Sequence, residues 1–236
     1  MIITGNMPTL QAAKAATQSI PIVFATGIDP VENGIVASFN KPGGNITGIF
    51  TLDLMLANKR IEILHELIPS ATKFAYLTDP GDVYVTGLEL PQVQAAADSR
   101  GLSLLNVYAH TPDELKGAFE AAVSAGSGVM VIGSNGLFLS TLAQLVALAE
   151  RYQLPVIHRG GAAVTAGGLI SYTTDQRETD RLVADYVARI LKGEKPADIP
   201  VQQSTKTIMS INLKTAKALG ITVPPTLLAS ADEVIE

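Results

Sequence analysis

The 236-residue sequence contains no cysteine, which excludes disulfide bonds, thiol catalysis and cysteine-ligated metals. Tryptophan is also missing and aromatic residues make up only 5%, so a core must be built mainly from alanine, leucine, isoleucine and valine. There is no basic tract and the formal net charge is −5, which argues against a nucleic-acid partner. No apolar run reaches the ~20 residues that a membrane-spanning helix needs.

Familiar enzyme motifs are absent as well. The sequence holds no G-x-S-x-G elbow, no phosphate-binding P-loop and no H-E-x-x-H motif, and we expect no cofactor and no metal. Of the three histidines, His65 is expected on the solvated face of a helix and His110 in a loop. His158 ends a predicted strand and is either a hydrogen-bonded structural residue or a ligand contact. We therefore predict that the protein is not an enzyme.

What the sequence does contain is a regular alternation of short apolar runs and amphipathic segments. The apolar runs predict strands over residues 2–4, 22–25, 46–50, 73–78, 103–108, 128–132, 155–158, 169–172 and 207–211. The segments between them predict helices over residues 9–16, 31–39, 53–68, 91–100, 111–125, 140–152, 175–192 and 212–220. In the helix over 53–68, Arg60 is assigned to the solvent face. This alternation predicts an α/β fold with parallel sheets.

Two blocks of the sequence resemble a known family. The first block consists of Ile20–Ala25, Asp29-Pro30-Val31, and Pro42-Gly43-Gly44-Asn45 with Thr47-Gly48. The second consists of Asn212–Gly220 and Ala231–Ile235. Together they resemble the substrate-binding proteins of ABC transporters, specifically the tryptophan- and tyrosine-type binders with a type 1 periplasmic-binding-protein fold. The resemblance runs over essentially the whole chain.

This resemblance implies two Rossmann-like lobes. Residues 1–50 and 170–206 would form lobe one, residues 51–169 lobe two, and residues 207–236 a crossing strand, short helix and tail. The first two strand–helix units of the family have no counterpart here, so lobe one is expected to be incomplete at its N-terminus. The strand Ile2–Thr4 would then lie at an exposed sheet edge, which predicts a homodimer through that edge.

The resemblance also implies partners and a location. Family members bind a small-molecule ligand and dock on an ABC permease in the membrane. They are periplasmic or extracellular and membrane-anchored, whereas Met1 leads directly into Ile2-Ile3-Thr4-Gly5 without a signal-peptide pattern.

Small polar residues follow the predicted strands. Because parallel strands end at one edge, these residues are expected to gather at a cleft between the lobes. The candidate ligand-binding residues are Gly5, Asn6, Met7, Thr26, Gly27, Asp29, Ser134, Asn135, Tyr172 and Asp175. Each of them can equally be an ordinary turn or cap residue.

Their chemistry suits an amino acid or a similar zwitterion. Thr26, Ser134 and the loop over residues 5–7 could hold a carboxylate, and Asp29 or Asp175 could pair with an ammonium group. Tyr172 could stack on the ligand or hydrogen-bond to it. We expect the solute-binding component of an ABC importer. The alternative is a cytosolic α/β enzyme that uses Asp29, Asp175 or His158 as acid or base.

Overall fold

The computed structural model describes residues 1–236, except for the side chains of Tyr84 and Val85. Contacts divide the chain into two compact units: unit 1 is Met1–Leu54 with Thr174–Thr207, and unit 2 is Met55–Thr173 with Ile208–Glu236. The strands are β1 Ile2–Thr4, β2 Ile22–Thr26, β3 Ile46–Thr51, β4 Lys73–Thr78, β5 Ser103–Tyr108, β6 Val129–Ile132, β7 Val156–His158, β8 Ile170–Thr174, β9 Gln202–Ser204, β10 Thr207–Asn212 and β11 Glu233–Ile235. The helices are α1 Met7–Ala16, α2 Ala57–Leu67, α3 Val83–Asp98, α4 Leu115–Ser124, α5 Gly136–Ser140, α6 Leu142–Arg151, α7 Gly161–Thr165, α8 Gln176–Leu191, α9 Leu213–Ala218 and α10 Pro225–Ser230.

Unit 1 is built on a four-stranded sheet in the order β1-β2-β3-β9, and every neighbouring pair is parallel. The apolar run of β2 is buried, as a strand covered on both faces should be. Helix α8 packs on β2 and β3, where Tyr186 and Ile190 join Val23 and Ile49 in one apolar cluster. Strand β1 lies at the sheet edge with Ile3 59% exposed, and self-association through this edge stays a prediction.

Unit 2 is built on a seven-stranded sheet in the order β11-β10-β8-β7-β6-β4-β5. The pairs from β5 through β8 are parallel, and so are β10 and β11. Apolar clusters lie against the sheet, one of them including the α2 and α3 residues Ile61 and Val93 and another the α4 residue Phe119. Alternating strands and helices around parallel sheets agree with the α/β expectation.

The division of the chain differs from the predicted boundaries at two places. We expected residues 170–206 in the first lobe, but Ile170 and Ser171 pair with Ile157 and His158 in the second sheet, so β8 belongs mainly to unit 2. We expected residues 207–236 as a separate segment, but β10 and β11 extend that same sheet. The apolar residues of a strand show that it is buried, but they do not show which of two sheets it joins.

Three local predictions were wrong. Residues 31–39 form turns instead of a helix, because Asp29 Oδ1 accepts hydrogen bonds from two following backbone N–H groups and Gly34 adopts a φ of +64°. Helix α3 begins at Val83, eight residues before the predicted start at residue 91, and includes Pro91. Arg60 on α2 is 0% exposed instead of facing solvent. Among the described residues, no helix has the length and apolar character of a bilayer span.

Candidate functional site

In unit 1, the first candidate loop follows β1. The Asn6 side chain caps α1 by accepting a hydrogen bond from the Thr9 backbone N–H at 2.9 Å. Gly5 is exposed, whereas the Met7 side chain is only 2% exposed and packs inside unit 1. A ligand at this loop could therefore contact the polar groups of residues 5 and 6 more readily than the Met7 thioether.

The second candidate loop follows β2. It lies on the same side of the sheet as the first loop, because β1 and β2 are parallel neighbours and their carboxyl ends point the same way. The buried Thr26 hydroxyl accepts a hydrogen bond from Ile28 N–H at 3.2 Å. Asp29 Oδ1 accepts from the N–H groups of Val31 and Glu32 at 2.8 and 2.9 Å. A β-carbon on Gly27 would lie 3.2 Å from Leu54 Cγ, so this loop packs closely. Its polar side chains thus stabilise the turn itself.

Asp175 is the N-cap of α8 and has three partners inside unit 1. Its carboxylate caps the helix by accepting from the Arg177 and Glu178 N–H groups, and it forms an ion pair with Lys206 Nζ at 2.7 Å. The Lys206 hydrogen bond is the main reason that the pKa of the Asp175 carboxyl is held below its usual value. The protein therefore supplies one cation for this buried carboxylate, which was predicted, as an alternative to Asp29, to pair with a ligand ammonium group.

In unit 2, Ser134 and Asn135 follow β6. The Asn135 side chain caps α5 by accepting from Leu137 N–H at 2.7 Å and donates to Asp79 Oδ2 at 3.1 Å. Ser134 is 5% exposed, and its Oγ has no hydrogen-bond partner among the described residues. An unpaired buried hydroxyl costs free energy, so this atom is suited to a hydrogen bond with a bound molecule.

Behind Ser134 lies a buried charged group that the sequence analysis missed. Arg60 of α2 and Glu89 of α3 form an ion pair at 3.3 Å with side-chain exposures of 0% and 1%. Glu89 Oε2 accepts from the Ser134 N–H at 2.8 Å, and Arg60 Nε donates to the Tyr172 carbonyl oxygen at 2.8 Å. Burial, with the adjacent Glu89 carboxylate, raises the pKa of the Tyr76 hydroxyl beyond its usual range. The side chain of Tyr172 itself is half-buried.

A signal for Arg60 was present in the sequence. The buried face of α2 includes Ala57, Ile61 and Leu64. Arg60 follows Ala57 by three residues, so helical geometry places it on the same face. Glu89 carried no such signal, because its segment was not predicted to be helical.

The histidines differ from one another. His158 is 3% exposed, and burial lowers its pKa to about 4, so the imidazole is neutral near neutral pH. His110 lies in a loop, 51% exposed, with Nδ1 at 2.5 Å from Asp79 Oδ1. His65 was predicted to be solvated, but it is half-buried against Phe74, with ring centroids 6.4 Å apart. Within the described residues, no group of three or more acidic, histidine or cysteine side chains could hold a metal ion.

The structure thus brings some candidates together within each unit. In unit 1, the loops after β1 and β2 both follow the carboxyl ends of neighbouring parallel strands. In unit 2, Arg60 and Glu89 connect Ser134 to Tyr172, and Asn135 contacts the strand-end residue Asp79. The cleft between the lobes stays a prediction.

The sequence of residues 1–235 matches the family model described as ABC transporter substrate binding protein. The chain belongs to this family. Its fold class, two Rossmann-like units with parallel sheets like those of type 1 periplasmic binding proteins, is confirmed by similar solved structures.

The chain is similar to a tyrosine-binding protein of Clostridioides difficile, at 27% identity over 221 residues that cover 94% of this chain and 63% of that relative. It therefore spans just under two thirds of that relative's length. The ABC domain from Streptococcus pneumonia solved in complex with L-Trp has a TM-score of 0.86 and 25% identity, over 100% of this chain and 80% of that one. A conserved domain protein from Vibrio cholerae has a TM-score of 0.85 and 28% identity, over 98% and 77%.

Proposed function

We propose that this protein is the solute-binding component of an ABC importer and that it binds an amino acid or a closely related small solute. One structural observation carries the proposal. At the carboxyl end of β6, the Ser134 hydroxyl is buried without a hydrogen-bond partner among the described residues. The names of two relatives, one a tyrosine-binding protein and one an ABC domain in complex with L-Trp, support the ligand class.

The proposed ligand carries a carboxylate, an ammonium group and an apolar or aromatic side chain. A hydroxyl such as that of Ser134 donates to a carboxylate oxygen. Asp29 and Asp175 are the candidate partners of the ammonium group, although Asp175 is already bonded to Lys206. The half-buried ring of Tyr172 suits contact with the ligand side chain. Asn6, Asn135 and the glycines of the candidate loops would set the shape of the loops next to the ligand.

The family also indicates the partner and the compartment. ABC substrate-binding proteins work with a membrane permease and are periplasmic or extracellular. We propose that this protein delivers its solute to such a permease and is anchored at the membrane surface.

The alternative, an enzyme using Asp29, Asp175 or His158, is not favoured. Asp29 and Asp175 accept hydrogen bonds from neighbouring backbone N–H groups, as turn and cap residues do. His158 is buried, and its lowered pKa of about 4 makes it a poor base near neutral pH.

A thermal-shift panel of the twenty amino acids tests the proposal. We expect the unfolding midpoint to rise saturably with one or a few amino acids, with L-tyrosine and L-tryptophan tried first, because a ligand that binds only the folded state stabilises it. The variant Ser134→Ala should fold and lose most of that shift, whereas Ser124→Ala at the exposed end of α4 should keep it. A flat panel with every amino acid would refute the ligand class.

A further inference from the structure

The Arg60–Glu89 pair places two charged side chains in the interior of unit 2. It joins α2 to α3, with both side chains at most 1% exposed. Replacing a buried ion pair by apolar residues of similar volume is often neutral or stabilising, because desolvation offsets the Coulomb attraction. A contribution to the stability of the fold therefore does not by itself explain why a charged pair occupies this buried position.

Each member of the pair also bonds to a backbone group of a different element, the loop after β6 or the strand β8. Glu89 uses Oε1 for Arg60 and Oε2 for the N–H of Ser134. Arg60 uses Nη1 for Glu89 and Nε for the carbonyl oxygen of Tyr172. The two side chains thus form one continuous bridge from the loop after β6 to the strand β8.

The loop that carries Ser134 packs closely against Tyr76. A β-carbon on Gly133 would come within 2.7 Å of the Tyr76 hydroxyl. The Glu89 carboxylate is one of the groups that raise the pKa of that hydroxyl, after its burial. Because Glu89 accepts from the N–H of Ser134, the same contact fixes the backbone that carries the Ser134 Oγ.

We propose that Arg60 and Glu89 are positioning residues that hold the backbones of Ser134 and Tyr172 in a fixed placement relative to each other. Unit 2 would then present these two residues to the ligand in an arrangement that exists before binding. This inference rests on the proposed function and deepens it. Neither residue needs to touch the ligand. Preformed placement reduces the ordering that binding would otherwise require, so its loss should weaken affinity in a correctly folded protein.

The double variant Arg60→Met/Glu89→Met tests this directly. It removes the two charges of this pair together, which is less costly than removing one of them. The variant should still unfold cooperatively, while its Kd for the amino acid found in the thermal-shift panel should rise about tenfold or more. The backbone amide of Ser134 should exchange with deuterium faster than in the wild type.

The chain offers a matched control on the same helix. Lys59 and Glu62 of α2 form an exposed ion pair at 2.5 Å, so Lys59→Met/Glu62→Met makes the same chemical change at the surface. The control should bind as the wild type does. If Arg60→Met/Glu89→Met fails to fold, Arg60→Lys replaces it, because lysine keeps the charge but lacks the Nε donor to Tyr172. Weaker binding in a protein that still unfolds cooperatively is again expected.

The outcomes separate this inference from the proposed function. Unchanged affinity together with unchanged Ser134 amide exchange in a folded variant would overturn the inference and leave the function intact. If the wild type binds no amino acid, the proposed function fails, and the amide exchange of Ser134 then decides the inference alone: faster exchange supports it and unchanged exchange overturns it.

Discussion

The two units hold their candidate site residues in different ways. In unit 1, Asn6 and Asp29 bond to backbone groups two or three residues further along the chain. In unit 2, Ser134 and Tyr172 are held by Glu89 and Arg60, which lie 45 and 112 residues away in sequence. The loops after β1 and β2 in unit 1 are therefore stabilised by local hydrogen bonds, whereas the backbones of Ser134 and Tyr172 in unit 2 depend on a buried ion pair.

The largest effect is expected from breaking that ion pair on one side. Glu89→Leu removes the buried carboxylate that pairs with Arg60 and accepts from the Ser134 N–H, which should lower the free energy of unfolding by about 3–5 kcal/mol. Urea unfolding followed by circular dichroism measures the loss. Glu62→Leu, where the glutamate side chain is 44% exposed, should change stability by at most about 0.5 kcal/mol. Equal losses in both variants would remove the proposed difference between buried and surface charge.

The two units should also differ in how much they reduce the free energy of unfolding as the pH falls, and the larger reduction is expected from unit 2. The pKa of His158 is about 4 in the folded protein, against 6.5 as the usual value, so the unfolded chain takes up a proton first as the pH falls. Its contribution is complete above about pH 6.5 and is lost between there and about pH 4, amounting to about 3 kcal/mol.

Unfolding free energies measured across that window check this. His158→Gln should remove this part of the pH dependence, while His110→Gln, at a half-exposed position, should leave it in place. An unaltered pH profile in His158→Gln would contradict the assignment.

Packing between strands gives unit 1 its own sensitive position. A β-carbon on Gly48 would lie 2.2 Å from the Phe24 carbonyl oxygen, so Gly48→Ala forces β2 and β3 apart and should cost about 1–3 kcal/mol. Gly87→Ala on α3 meets nothing within 4 Å and should be neutral or stabilising by up to about 1 kcal/mol. Thermal unfolding of both variants measures the contrast, and a stable Gly48→Ala would refute the close approach.

The smallest effect is expected at Asp175. Its folded pKa is lowered, chiefly by Lys206, so its contribution is present above the unfolded value of about 3.9 and is lost as the pH falls through the folded value. Asp175→Asn should therefore flatten only the acid limb below about pH 4, by less than about 1 kcal/mol, because Lys206 is 61% exposed. The variant should be slightly less stable than the wild type near pH 6, where the ionised Asp175–Lys206 pair is present, and this difference should shrink as the pH falls below about 4. Unfolding free energies that differ more at low pH than near pH 6 would contradict this window.

The same contrast explains what the sequence could predict. The strands at Lys73–Thr78 and Ser103–Tyr108 were predicted to the residue, because apolar runs bounded by turn residues are local signals. The caps at Asp175 and Asn212 were local as well. The pair of Arg60 and Glu89 was not, because it joins two helices, and a charged residue is ordinarily assigned to solvent.

The assignment of β8 to the second sheet was missed for a related physical reason. Which sheet a strand joins depends on pairing with Ile157 and His158, and nothing within residues 169–172 reports that partner. The turns at residues 31–39 were missed because the Asp29 carboxylate competes for backbone N–H groups that a helix would otherwise use.

Equilibrium dialysis of the protein against labelled L-tyrosine and L-tryptophan shows whether it binds an amino acid. We predict saturable binding of one ligand per chain, which Ser134→Ala weakens and the surface variant Lys59→Met/Glu62→Met leaves unchanged. A folded wild type that retains neither amino acid, nor any of the other eighteen in the same experiment, would contradict it.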